Sequence, residues 1–255
     1  KSSMLDAMLV NIALLHGWKM AIYSPEQQPL ALHAANLIRI EKGLPFRVGL
    51  NERMTLEQAK TSAFRVSEYF KLLSPDEEEL TVEGIIRLAK ACVTRYGIKG
   101  LVIDPWNELE HARPSNQTET EFIAESLRKL RRFARLYQIH LWIIVHPTKQ
   151  QKDKEGVYPV VTPYDLAGSA HWYNKADMIL SLWRDNLLPD APLTVHSQKV
   201  RFQENGRLGE ANLYYDSPTG RLSDRAWNNR QSWEDAQQAQ DVQEELSTNN
   251  DLPEF

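Results

Sequence analysis

The sequence predicts an α/β fold in which a largely parallel sheet is covered by helices on both faces. Short apolar runs alternate along the chain with longer segments of helical period; examples are "WKMAIY" (18–23), "GLVID" (100–104) and "HLWIIV" (140–145). Nearly continuous apolar runs are typical of strands that are buried on two sides and joined by helical crossovers. With 255 residues and 42% hydrophobic content, the chain can bury a substantial core in one main domain.

The segments between these runs carry residues that favour helix ends. The pattern "SMLDAMLVNIALLHG" begins directly after Lys1 and Ser2 and predicts the first helix. Later helix boundaries are predicted by two capping boxes and two glycines at C-terminal positions: Thr55 with Gln58, Thr118 with Glu121, Gly43 and Gly97.

The last apolar runs are "DMILSLW" (177–183) and "LTVHSQKVRF" (193–202), and short turns such as "ENGRLGE" follow them. Short connections predict antiparallel strands, which we expect to extend one edge of the sheet. We assign residues 1–224 to this domain. Residues 225–255 are rich in Gln, Asn and acids, which predicts a flexible acidic tail.

Composition limits the classes of function and the compartment. The formal net charge of −4 argues against a protein that coats nucleic acid indiscriminately, although the acids are concentrated after Ser232 and leave the rest mildly basic. The one cysteine, Cys92, lies on an apolar helical stripe and is predicted to be structural. No apolar run is long enough to span a bilayer. We therefore expect a soluble protein of a reducing compartment.

Polar side chains follow the predicted strands where ligands bind in open parallel sheets, beyond the carboxyl ends. They are Glu26, Asp104, His146 and Arg184. Hydrolysis of a nucleoside triphosphate requires a carboxylate for Mg²⁺, a group that orients water and cations that neutralise the phosphoryl charge. Three of these residues also have a simpler interpretation. Glu26 could cap the helix predicted for "EQQPLALHAANLIRI", Asp104 could cap a helix or a turn before Pro105, and His146 could be a structural histidine with satisfied hydrogen bonds before a proline turn.

Such a site needs a phosphate cradle, and Lys1 and Ser2 match the end of one. A phosphate-binding loop reads G-x-x-x-x-G-K-[ST] and precedes a helix; its lysine contacts the β- and γ-phosphates, and its hydroxyl binds Mg²⁺. We therefore expect that the chain starts inside such a loop and that its glycines lie upstream. The alternative is a chain that starts at an arbitrary lysine.

Lysines and an arginine offer contacts to phosphate elsewhere. The segment after His146, "PTKQQKDKEGVYPVVTPYD", carries Lys149, Lys152 and Lys154 and suits contact with a nucleic-acid backbone, although it could be an ordinary solvated loop. Lys199 and Arg201 alternate along a strand and so share one face. They could be surface charges or cations offered to the nucleotide of a neighbouring subunit.

The order of motifs resembles the helicase domain of the DnaB and Twinkle family, especially phage primase-helicases. The matching segments are Lys1-Ser2, "YSPE", "LVIDPWNE", "IIVHPTK", "DLAGSAHWYNKADMILSLWR" and "QKVRF", which together cover about residues 1–222. The resemblance implies a RecA-like P-loop NTPase fold and a ring, usually hexameric, that moves along single-stranded DNA. The ring would use ATP or another NTP, with Mg²⁺, bound between subunits.

The resemblance also implies a role for each candidate residue. Lys1 and Ser2 look like the end of Walker A, Glu26 like the catalytic base, Asp104 like the Walker B acid and His146 like the γ-phosphate sensor. Lys199 and Arg201 resemble the piston and finger supplied to a neighbouring subunit. Arg184 and Tyr215 are similar to residues that sandwich the nucleotide base, and Lys149 with its loop resembles the central DNA-binding loop.

The sequence departs from the family pattern because the glycines of Walker A are absent. An acidic tail that ends in an aromatic residue docks on the replicative polymerase in some phage relatives, and "NNDLPEF" with Phe255 looks similar. Two alternatives to a helicase stay open. One is a RecA-type recombinase or helicase-loader ATPase, and the other is a catalytically inactive scaffold.

Overall fold

The structure is a computed structural model that describes residues 1–47, 52–76, 80–185, 187–188 and 191–224, without the side chains of 110–112 and 169. The predicted tail, residues 225–255, lies outside the described residues. Six α-helices and eight strands are assigned in this part of the chain. The helices are α1 (Ser2–His16), α2 (Leu30–Lys42), α3 (Leu56–Tyr69), α4 (Val82–Tyr96), α5 (Glu119–Tyr137) and α6 (Ser169–Lys175). The strands are β1 (Met20–Tyr23), β2 (Phe70–Leu73), β3 (Gly100–Ile103), β4 (His140–Ile143), β5 (Met178–Trp183), β6 (Leu193–Val200), β7 (Gly209–Tyr215) and β8 (Leu222–Ser223).

The predicted parallel sheet is confirmed. Its four strands lie in the order β2-β1-β3-β4, and every pair is parallel. The sequence analysis missed the edge strand β2, since "FKLL" follows α3 directly, without a turn residue between them. All residues of β1 and β3, the two central strands, are buried.

Helices cover both faces of this sheet. Because side chains alternate along a strand, Ala21 and Leu101 enter a core with α4 and α5, whereas Met20 and Val102 enter a second core with α1, α2 and α3. Cys92 is buried in the first core, as predicted for a structural thiol. The two cores hold the central strands rigidly, and with them the segments that leave their ends.

The predicted helix ends are also confirmed. Both capping boxes are present, at Thr55 with Gln58 and at Thr118 with Glu121. Gly43 and Gly97 follow α2 and α4 with φ values of 71° and 66°, a left-handed conformation that glycine adopts without steric cost.

The late strands are antiparallel, as predicted, but they do not extend the edge of the parallel sheet. Instead β5, β6, β7 and β8 hydrogen-bond to one another in a separate four-stranded sheet. Sequence periodicity indicates that a strand exists but not which strand it pairs with, because pairing depends on contacts between distant segments.

Candidate nucleotide site

The candidate site lies at the carboxyl edge of the parallel sheet. The register pairs Tyr23 with Ile103 and Ile103 with Ile143, so that β1, β3 and β4 end side by side. The segments that carry Glu26, Asp104 and His146 therefore leave the sheet at one edge. In open parallel sheets this is the edge at which ligands bind.

Asp104 is the buried acid of this edge, with 2% of its surface exposed. Its main-chain N–H donates to the carbonyl oxygen of Tyr23 at 2.9 Å. Its Oδ2 atom accepts hydrogen bonds from the hydroxyl of Ser24 at 3.4 Å and from the amide of Gln27 at 3.5 Å. Its Oδ1 atom is buried and has no hydrogen-bond partner among the described residues. A buried carboxylate oxygen without a partner is costly, which suits an atom that receives a cation.

Lys1 lies close to Asp104 and Glu26. Its ammonium group donates to the carbonyl oxygen of Val145 at 3.2 Å. Although the residue as a whole is exposed, desolvation of its ammonium group lowers the pKa of Lys1, and the carboxylates of Asp104 and Glu26 act in the opposite direction. Lys1 is the N-cap of α1, where unpaired N–H groups favour anions. Ser2 is the first residue of that helix.

Glu26 lies in the turn between β1 and α2 and is exposed. The interpretation of Glu26 as a helix cap is wrong, because α2 begins at Leu30 and has Pro29 as its N-cap. Its carboxylate is accessible to water and lies close enough to Lys1 to oppose the lowering of the pKa of that ammonium group by desolvation.

The edge also contains Asn107, which the sequence analysis did not assign. Its Oδ1 atom accepts a hydrogen bond from the main-chain N–H of His146 at 3.0 Å. The neighbouring N–H of Trp106 donates to the carbonyl oxygen of Ile144 at 2.7 Å. These bonds tie the segment after β3 to the segment after β4. The signal in the sequence that could have pointed to Asn107 is its position as a polar residue between two large apolar residues, Trp106 and Leu109, both of which are 0% exposed.

Arg184 and Tyr215 lie at one end of the antiparallel sheet. We expected Arg184 at the edge of the parallel sheet, but that expectation is wrong because β5, which precedes it, pairs with β6. The register joins Trp183 to Thr194 and Leu193 to Leu213, so both residues leave the sheet at the same end. The hydroxyl of Tyr215 accepts a hydrogen bond from Arg39 at 3.3 Å.

Lys199 and Arg201 both reach the C-terminal end of α6. The ammonium group of Lys199 donates to the carbonyl oxygen of Tyr173 and lies 4.5 Å from the centre of its ring. Arg201 donates to the carbonyl oxygen of Asn174, and to that of Ala176 at 3.1 Å.

A carboxylate also holds Arg201 in place. The Nε atom of Arg201 lies 2.9 Å from the carboxylate of Asp177, which Arg131 also contacts at 3.1 Å. Burial and the nearby Arg201 lower the pKa of Lys199. Lys199 is therefore held by α6, and Arg201 by α6 together with Asp177.

Residues 147–162 form a loop without helix or strand, which we call the lysine loop. The base of the loop is held together at Thr148, whose N–H and hydroxyl both donate to the carbonyl oxygen of Asp165 at 2.8 Å. Its three lysines, Lys149, Lys152 and Lys154, are exposed. Lys152 lies 5.1 Å from the ring of Tyr158, whose carbonyl oxygen accepts a hydrogen bond from Trp183 at 2.7 Å. The loop is therefore fixed to the rest of the domain by Asp165 and Trp183, while its lysines remain exposed.

Magnesium is the metal that suits this donor set. Within the described ranges, no group of three or more His, Cys, Asp or Glu side chains converges on one point. Mg²⁺ is usually held by one or two carboxylates together with the phosphates of a substrate, so such a group is not required. The buried Oδ1 atom of Asp104 would hold such an ion, and the hydroxyl of Ser2, the first residue of α1, is the second candidate ligand.

No family model matches this chain. It is 37% identical over 232 residues to the Twinkle homolog protein, chloroplastic/mitochondrial, of Arabidopsis thaliana. That match covers 88% of this chain and 32% of the relative, so the chain spans about a third of the length of the curated relative it matches.

Solved structures share the fold at low sequence identity. A DnaB-like replicative helicase, solved in a study of its interactions with primase, superposes with a TM-score of 0.66 at 17% identity and covers 86% of this chain and 55% of its own. The RadB recombinase has a TM-score of 0.54 at 18% identity, covering 88% and 86%. A KaiC-like protein from Pyrococcus horikoshii has the same TM-score at 13% identity, covering 87% and 82%.

The solved structures agree with the fold described above, a parallel sheet with helices on both of its faces. The sequence match agrees with the motif order along the chain. The chain has a RecA-like fold, and over 88% of its length its sequence resembles that of a Twinkle homolog protein.

Proposed function

We propose that this chain is the motor domain of a replicative DNA helicase, which translocates on single-stranded DNA as a ring and hydrolyses NTP at subunit interfaces. The observation that carries the proposal is the buried carboxylate of Asp104, whose Oδ1 atom is unpartnered in the described residues, beside the ammonium group of Lys1. A buried acid, a lysine at a helix N-terminus and an exposed glutamate are the parts that phosphoryl transfer to water requires.

Each residue has a role in this proposal. Lys1 and the N-terminus of α1 bind the phosphates, while Asp104 and Ser2 hold Mg²⁺. When bound, Mg²⁺ neutralises charge on the phosphate oxygens. Glu26 orients and deprotonates the attacking water, and His146 senses the γ-phosphate. Arg184 and Tyr215 hold the base.

The remaining cations act between molecules. Lys199 and Arg201 contact the nucleotide of the neighbouring subunit in a ring that we expect to be hexameric, and they must leave α6 to do so. Lys149, Lys152 and Lys154 grip the DNA strand. The acidic tail, which lies outside the described residues, binds a polymerase or another replisome protein.

Among the helices that the structure describes, none is long and apolar enough to cross a membrane. The Arabidopsis relative is named as a chloroplastic/mitochondrial protein. For this chain we propose the cytoplasm of a bacterium or of a phage-infected cell.

A recombinase-type or helicase-loader ATPase is the second candidate, since the RadB recombinase matches most of this chain and of its own length. Strand displacement on forked DNA distinguishes the two, because only a helicase unwinds the fork when ATP is added. The test uses the full-length protein with Asp104→Asn as the matched variant. The helicase proposal requires ATP-dependent displacement that this variant abolishes. DNA-stimulated ATPase activity without displacement would favour the second candidate.

The third alternative is a catalytically inactive scaffold. If the full-length protein bound MgATP but did not hydrolyse it in the presence of single-stranded DNA, the scaffold would replace the helicase. Measurable turnover that is lost in Asp104→Asn would exclude it.

A further inference from the structure

A buried carboxylate lies on α1 outside the candidate site. Asp6 is 2% exposed and is located about one helical turn after Ser2. Its Oδ1 atom lies 3.2 Å from Nε2 of His33, and its Oδ2 atom accepts a hydrogen bond from the amide of Asn36 at 3.0 Å. A buried acid is tolerated only when its oxygens are paired, and both partners here come from α2. The contact therefore fixes α2 against the helix that starts at the proposed phosphate site.

The polar contacts continue from α2 to the antiparallel sheet. The Oδ1 atom of Asn36 accepts a hydrogen bond from Nη2 of Arg39 at 2.7 Å. The same nitrogen contacts the hydroxyl of Tyr215 at 3.3 Å, and Nη1 donates to the carbonyl oxygen of Ser217 at 2.7 Å. One guanidinium group thus joins α2 to the end of β7 and the turn after it. We call Asp6, His33, Asn36, Arg39 and Tyr215 the Asp6 network.

A second arginine, Arg221, also connects the turn after β7 to the end of α2. Arg221 donates from Nε to the carbonyl oxygen of Ile40 at 2.8 Å and from Nη2 to that of Glu41 at 2.7 Å. Cationic side chains are favourable partners for the last carbonyls of a helix. The close approach also depends on Gly220 (φ 75°), where a Cβ atom would lie 2.8 Å from Nη2 of Arg39. The end of β7 is therefore clamped to α2 at two points.

We propose that Arg39 is a positioning residue for Tyr215. Through the Asp6 network, the ring proposed to stack on the nucleotide base is fixed relative to the helix whose first residues are proposed to bind the phosphates. The two ends of a nucleoside triphosphate then meet a preformed frame, which lowers the ordering cost of binding. This inference rests on the proposed function, and specifically on the base-stacking role of Tyr215.

The test measures MgATP affinity of the full-length protein by calorimetric titration. Tyr215→Phe keeps the ring but removes the hydroxyl that contacts Arg39, at a residue that is 41% exposed and therefore tolerant of the change. We expect affinity to fall about threefold to fivefold, as for the loss of one hydrogen bond that orders a side chain. Unchanged affinity in Tyr215→Phe would overturn the inference, because a freely placed ring would stack equally well.

A double-mutant cycle separates positioning from simple stabilisation. Arg39→Met is expected to weaken MgATP about tenfold, but to cost less than twofold when Tyr215→Leu has already removed the ring. Arg65→Gln is the matched control, since Arg65 pairs with Glu41 of α2 at 2.9 Å without contacting the turn, and MgATP affinity should stay within about twofold of wild type.

The possible results distinguish failure of this inference from failure of the proposed function. Equal losses from Arg39→Met with and without the ring would overturn the inference and leave nucleotide binding intact. If the wild-type protein failed to bind MgATP, both the proposed function and this inference would fall. Should Arg39→Met not fold, the Tyr215→Phe result decides.

Discussion

The ammonium group of Lys1 donates a hydrogen bond to the carbonyl oxygen of Val145 at 3.2 Å, which joins the start of α1 to the segment that follows β4. Val145 immediately precedes His146, whose N–H is in turn held by Asn107. The proposed phosphate-binding lysine and the proposed sensor are thus coupled through the main chain. The lysine loop begins directly after His146.

Replacement of Glu26 by Gln tests the proposed base. The amide keeps the shape of the side chain but cannot accept a proton, so kcat should fall about 10²- to 10⁴-fold while the dissociation constant for MgATP changes by less than about twofold. Steady-state ATPase assays and calorimetric titration measure the two quantities. The control is Glu52→Gln, an exposed glutamate outside the site. A variant that retained wild-type turnover would exclude Glu26 as the base.

The lysine loop is tested through the salt dependence of DNA binding. Neutralising Lys149, Lys152 and Lys154 with Gln should reduce the slope of log affinity against log salt for single-stranded DNA by about 2, at about 0.7 per lost phosphate contact. Fluorescence anisotropy at several salt concentrations gives the slope. The control removes the same charge at three exposed lysines elsewhere, Lys60, Lys90 and Lys99. Equal slopes for the two triple variants would show that net charge, and not this loop, governs binding.

Mixed assemblies test whether Arg201 acts on a neighbouring subunit. Arg201→Ala and Glu26→Gln proteins should each be nearly inactive, with a loss of about 10³-fold or more for the arginine. Mixing them should restore ATPase activity, because a Glu26→Gln subunit can supply its Arg201 to a neighbour that keeps Glu26. An arginine that acts within its own subunit predicts no recovery on mixing. Arg207→Ala, at an exposed arginine nearby, should retain activity alone.

Tyr23 should make the stability of the fold depend on pH, whatever the function of the protein. Burial, with a smaller effect from the charge of Glu108, raises the pKa of Tyr23 to about 12. The unfolded chain has the ordinary value of 10.0 and loses its proton first, so stability is intact below pH 10 and falls as pH rises towards 12. The contribution of Tyr23 to this fall is at most about 1.4 kcal/mol per pH unit.

Urea unfolding at several pH values measures this effect. The Tyr23→Phe variant should lose this part of the alkaline decline, whereas Tyr164→Phe, at a tyrosine that is 72% exposed, should not. The hydroxyl of Tyr23 has no hydrogen-bond partner among the described residues. Its removal should therefore cost little free energy of unfolding at pH 7. A large loss of stability in Tyr23→Phe at neutral pH would contradict this account.

The sequence alone could predict those parts of the candidate site whose position depends on where a strand ends. Asp104 directly follows "GLVI", and parallel strands end at one edge whatever the details of their packing. Asn107 was not accessible in this way. Its role depends on the segment after β4 passing within hydrogen-bond distance, and no local pattern encodes that approach.

Local patterns were sufficient for the helix ends, the central strands and the alternation of their side chains between two cores. Caps, glycines and apolar period act over a few residues, so a single chain segment contains the information. Contacts between distant segments settled the rest: that β5 pairs with β6 and not with β4, and that Asp6, Arg39 and Tyr215 form one network. The free energy of a strand pair or of a buried polar contact belongs to both partners, and it exists only once the chain has brought them together.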